Sequence, residues 1–188
     1  DQGDAFSDLG VLFILIVILV YIVMATQFES LKFPFIIMFT IPFAFTGVFL
    51  ALWMTSTPLS LIALIGAIML VGIVTKNGIV MVDYMNLLVE RGSGVFDAVI
   101  AGGKSRLRPV LMTSFTTILG MLPLAIGTGA GSETWQPMGI AVIGGLTCST
   151  LLTLFIIPAL YSVFVNRSQR KEKEKLARLS AEHQASVH

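Results

Sequence analysis

Residues 59–82 read LSLIALIGAIMLVGIVTKNGIVMV, a run in which every side chain except Ser60, Thr75, Lys76 and Asn77 is apolar or glycine. A helix of about 20 apolar residues crosses the hydrocarbon core of a bilayer, so this run is long enough to span one. Lys76 is the anomaly within it. A charge at membrane depth costs from about 2.5–3.5 kcal/mol on insertion scales to above about 10 kcal/mol in simulations, and residues that carry one commonly serve ion or substrate traffic.

The rest of the chain is of the same kind. Apolar residues make up 55% of the 188 and charged residues 12%, about half the roughly 25% charge of soluble domains. With a mean hydropathy of +0.89, this composition describes an integral membrane protein. A net charge of +1 gives no reason to expect nucleic acid as a partner; the lipid bilayer is the partner implied. The single Cys148 has no partner for an intrachain disulfide and lies in an apolar segment. The chain opens on Asp1, and Asp1, Asp4 and Asp8 precede the first apolar run, the wrong charge sign for a secretory signal. We therefore expect the sequence to begin inside a longer protein or after processing.

Five stretches are long and apolar enough to span: 9–27, 33–54, 59–82, 109–126 and 137–165. Residues 1–8 form a flank and 166–188 a charged tail, so the expected fold is an all-α membrane bundle. Pro42, Pro123 and Pro158 fall within spans and should kink them. The segment 93–105, SGVFDAVIAGGKS, carries Val95, Phe96, Val99 and Ile100 at helical spacing, which predicts a short amphipathic helix on the membrane face. The tail reads as a solvated helix, partly disordered, or as a basic segment drawn to acidic headgroups.

Basic residues set the expected orientation. Lys32, the group Arg91, Lys104, Arg106 and Arg108, and the tail residues Arg167, Arg170, Lys171, Lys173, Lys175 and Arg178 all fall on one side of the five spans. By the positive-inside rule that side is cytoplasmic, with the N-terminus outside and the C-terminus inside. Lys76 alone departs from the pattern.

Lys76 has no acidic neighbour on its own helix face. Gly72, Ile73, Ile79 and Val80 adjoin it, and Asp83 shares the face about 10 Å along the axis. Asn77 can hydrogen-bond but cannot neutralise. No acid lies deep in a different span, so a carboxylate partner must come from outside these residues unless Lys76 snorkels to the interface. In the fourth span Thr113, Thr116 and Thr117, followed by Gly120, form a hydroxyl stripe. It either bonds back to its own backbone and bends the helix or offers a hydrogen-bonding face to Lys76. Arg106 and Arg108 stand at the entrance to that span. Gly66, Gly72 and Gly78 would admit a close neighbour to the third.

Other motifs carry less. Gly103-Lys104-Ser105 resembles the end of a phosphate-binding loop, but Ala98 stands where the pattern needs glycine and no strand precedes it. His183 and His188 make a weak metal case, and no nucleophile–base arrangement lies in the spans, so an enzyme is the least supported class.

Several segments resemble the resistance–nodulation–division (RND) efflux pumps, and most of all their hydrophobe/amphiphile multidrug branch: FESLKFP (28–34), GIVTKNGIVMVDY (72–84), RLRPVLMTSFTTILGMLPLAI (106–126) and GAGSETWQPMGIAVIGG (129–145). The likeness runs to about Val165 and implies the last five of that family's twelve spans, in the inner membrane of a bacterium. It further implies a homotrimer that joins a periplasmic adaptor and an outer-membrane channel. No cofactor is implied, since the proton motive force drives export. Lys76 matches the family's coupling lysine, whose two aspartate partners lie in the half of the pump missing here. Thr113 and Arg106 match relay residues and Asn77 the neighbouring amide, with Asp83 and Thr117 as possible auxiliaries. A related exporter of metal, lipid or polypeptide, or an inactive truncated scaffold, remains the alternative.

Overall fold

The computed structural model describes the backbone of residues 2–186 and the side chains of 3–180. Among the described residues it consists of helices and short turns: α1 (Gln2–Phe28), α2 (Lys32–Met38), α3 (Thr40–Met54), α4 (Leu61–Glu90), α5 (Val95–Ile126) and α6 (Ser132–Ser186). Five helical units are long and apolar enough to cross a membrane, α2 and α3 together forming one of them. The expected all-α bundle is the observed fold.

Local chemistry explains where the elements depart from expectation. The second stretch is two helices separated at Phe39. Pro42 has no N–H for the Met38 carbonyl and its ring crowds that carbonyl, so the ladder breaks one residue later. Thr40 Oγ1 donates to Ile37 O at 2.6 Å and closes the joint. The segment 95–105 is helical, but it continues into the fourth span as one helix through Pro109. It packs its small residues inward: Val95, Ala98 and Gly102 are buried, while Phe96 and Ile100 are exposed. A Cβ on Gly102 would meet Met85 Cγ at 2.6 Å, so close packing on the end of α4 holds these first turns in line with the rest. Helix α6 runs unbroken past Pro158 into the basic tail as far as Ser186. The His183 side chain and His188 lie outside the described residues.

α3, α4 and α6 meet in one apolar cluster that includes Ala44, Val48, Ala67, Leu70, Ala141 and Leu146. A second cluster, around Met24, Ile37, Met81, Met85, Ile157 and Tyr161, joins α1, α2, α4 and α6. Lipid tails are as apolar as leucine, so these helices hold together by close packing of small residues. Cβ atoms on Gly144 and Gly145 would run into Ala51 and Leu70, and one on Gly47 into Cys148. The pairs Gly66–Met138 and Gly78–Ile157 rise together along α4 and α6, so these two helices run in the same direction. The pairs Met85–Gly102 and Ala125–Gly139 run in opposite senses, making α5 antiparallel to both. Tyr161 Oη donates to Asn86 Oδ1 at 2.6 Å, and Lys32 Nζ donates to Ser168 Oγ at 2.8 Å. These contacts gather the start of α2, the end of α4, the start of α5 and the exit of α6 at one end of the bundle, the end that carries the basic residues.

Candidate functional site

Helix α4 is buried on one side and open on the other. Ala63, Gly66, Leu70, Val74, Gly78, Met81 and Met85 face the bundle. Ile65, Met69, Gly72, Lys76, Asp83 and Leu87 are exposed, spaced by three, four or seven residues along a single stripe. That spacing is one helix face. Nothing lies within 4 Å of a Cβ built on Gly72, one turn before Lys76. Gly66 and Gly78 do meet neighbours, α6 through Met138 and Ile157 and α2 through Ile37. Of the three glycines singled out in the sequence, only Gly72 faces free space, and it does so beside the lysine.

Lys76 makes no hydrogen bond or ion pair with any described residue. Asn77 is buried at 7% exposure, one residue round the helix, and so faces away from the open stripe. Asp83 is exposed on the stripe, two turns beyond Lys76. The hydroxyls of α5 bond to their own helix: Thr113 Oγ1 donates to Pro109 O at 2.9 Å, Thr116 Oγ1 to Met112 O at 2.8 Å and Thr117 Oγ1 to Thr113 O at 2.9 Å. The sequence left this stripe open between back-bonding and a shared face with Lys76, and these bonds are the back-bonding geometry. Arg106 reaches across to α4, where its guanidinium lies over the Tyr84 ring, 4.6 Å from the centroid. Its Nε is buried and makes no hydrogen bond among the described residues.

Two features of this region escaped the sequence. Ser114 Oγ and Thr150 Oγ1 share a buried 2.8 Å hydrogen bond between α5 and α6. Thr75 Oγ1, beside Lys76, is buried with no hydrogen-bond partner among the described residues. The clustering of Ser and Thr at 147, 149, 150 and 153 was the available signal, but it reads equally well as small residues for packing. Among the described residues no cluster of His, Cys, Asp or Glu could hold a metal ion.

Residues 1–165 match the model of the AcrB/AcrD/AcrF family. The chain belongs to this family. It is 44% identical over 156 residues to the multidrug resistance protein MdtC of Erwinia tasmaniensis, covering 82% of this chain and 15% of that protein. It is 40% identical over 157 residues to the cobalt-zinc-cadmium resistance protein CzcA of Cupriavidus metallidurans, covering 84% and 14%. With the swarming motility protein SwrC of Bacillus subtilis it shares 38% identity over 172 residues, covering 91% and 16%. The fold superposes on the crystal structure of a heavy metal efflux pump with a TM-score of 0.80 at 32% identity, covering 88% of this chain and 17% of that one. The chain thus spans about one sixth of the length of the relatives it matches.

Proposed function

We propose that this chain is the C-terminal membrane part of a proton-driven RND exporter and carries the lysine side of its coupling site. The observation that supports this most is the open stripe of α4, where an ammonium stands in an apolar face beside a glycine with free space over it. A helix bearing carboxylates, supplied by the rest of the transporter, could approach at Gly72 and pair with Lys76. Close approach at small residues is one way membrane helices associate, and charges at this depth are found paired, which offsets their cost.

In this mechanism ionised carboxylates hold Lys76. Protonation releases it, and α4 shifts against the covering helix. Thr113 and Arg106 on α5 take part as relay groups, with Asn77, Asp83 and Thr117 in auxiliary roles. One charge moving through 100 mV supplies about 2.3 kcal/mol, enough to bias a two-state element by roughly fiftyfold. The proposed setting is the bacterial inner membrane, with the basic end of the bundle in the cytoplasm. A trimer joined to an adaptor and an outer-membrane channel completes the assembly.

For cargo we propose a drug or other amphiphile, as the resemblance implies. A metal cation is the second reading, supported by the likeness to CzcA and to the heavy metal pump. Drug and metal tolerance of cells with and without the transporter separates the two. The coupling role is tested by Lys76→Met in the full-length transporter, which should abolish export while membrane insertion stays normal. Unchanged resistance in that variant refutes it.

A further inference from the structure

Ser114 follows Thr113 on α5 and points elsewhere. At about 100° per residue, turning Ser114 inward to α6 turns Thr113 away from α6. Ser114 and Thr150 are both buried, and their shared hydrogen bond is 2.8 Å long. Apolar contacts one turn to either side add to it: Val110 is buried and Ile118 packs against the cluster of α3, α4 and α6. Among the described residues of α5 beyond Pro109, only Val110 and Ser114 are fully buried. A cleft of about 100 Å³ lies beside the pair, lined by Leu111, Phe115, Ile118, Thr147 and Leu151, so packing here is incomplete. The next side-chain bond from α6 to α5 is at the far end, Gln136 Nε2 to Ala125 O at 3.0 Å. Apolar packing is not directional, so the hydrogen bond is the contact that sets the roll of α5 at this level.

The direction of the Thr113 hydroxyl depends on that roll. Its bond to Pro109 O ties the hydroxyl to its own helix, so while that bond holds, a movement of α5 is what re-aims it. We propose that Ser114 and Thr150 are positioning residues for the coupling step: their hydrogen bond holds α5 at the roll from which Thr113 acts. The inference rests on the coupling role proposed above for Lys76 and Thr113, and neither Ser114 nor Thr150 handles the proton.

The test uses the full-length transporter in liposomes, with transport rate as the readout. Ser114→Ala and Thr150→Val should each lower the rate about threefold and by no more than about twentyfold, the range of measured interhelical hydrogen bonds in membranes. The double variant should fall no further than either single, because both remove the same bond. Ser114→Thr and Thr150→Ser keep a hydroxyl and should restore most of the rate, which a purely space-filling role does not predict for Thr150→Ser. Additive losses, a Thr150→Ser rate as low as that of Thr150→Val, or a wild-type rate in Ser114→Ala overturns the inference. So does failure of both Ser114→Ala and the near-isosteric Thr150→Val to accumulate as folded protein. If Lys76→Met transports normally, the coupling reading fails; if it is inactive while Ser114→Ala is normal, only the positioning inference fails.

Discussion

Two glycines in the membrane helices make opposite predictions for the same substitution. At Gly145 on α6 a Cβ would run into Leu70, come within 2.7 Å of Val48 Cγ2 and within 3.1 Å of Ala44 O. Leu70 can swing aside, but Val48 is stiff at χ1 and the carbonyl is backbone, so α3 or α6 must shift. Overpacking of this kind costs about 1–3 kcal/mol. At Gly72 on α4 the same methyl meets nothing within 4 Å. Both positions are helical, so Gly→Ala gains the same propensity, about 1 kcal/mol, at each. That term cancels between the two variants. Gly145→Ala should therefore be less stable than Gly72→Ala by about 1–3 kcal/mol, roughly 5- to 150-fold in the folded-to-unfolded ratio. SDS titration of the 188-residue chain in bicelles, followed by tryptophan fluorescence, measures the difference. Equal midpoints, or a greater loss at Gly72, would refute the packing argument and with it the claim that the α4 stripe is open.

Tyr161→Phe should remove the 2.6 Å bond to Asn86 while keeping the ring stacked on Phe33. The expected loss is about 0.6–1.7 kcal/mol, and Tyr161→Ala should lose about 3–5 kcal/mol; the same titration checks both. Thr113→Ala in the full-length transporter should slow export less than Lys76→Met does, because the hydroxyl bonds to its own backbone and its removal strands no charge. Equal loss in the two variants contradicts this.

The spans were legible because backbone polar groups in lipid must be satisfied within each helix, which leaves length and apolarity as the signal. A kink in the second stretch was legible in Pro42, but its division into two helices at Phe39 was not. The continuity of 95–126 was not. It depends on Gly102 fitting against Met85, a contact between two helices that no local pattern encodes. At the site, Lys76 stood out by cost alone, and its lack of a local acid could be read directly from the chain. Helical spacing placed Gly72 beside it, but that Gly72 and not Gly66 or Gly78 faces open space followed only from the packing of α4 on α2 and α6. Ser114 was hidden for the same reason. A serine between threonines looks like one more hydroxyl until the register of α5 on α6 puts it opposite Thr150.

The central claim is that Lys76 couples proton movement to export. The most direct test is proton flux in liposomes that hold the full-length transporter, measured with an internal pH dye under an imposed gradient. The account predicts substrate-dependent proton flux for the wild type and none for Lys76→Met at equal amounts of inserted protein. Wild-type flux in Lys76→Met would contradict it.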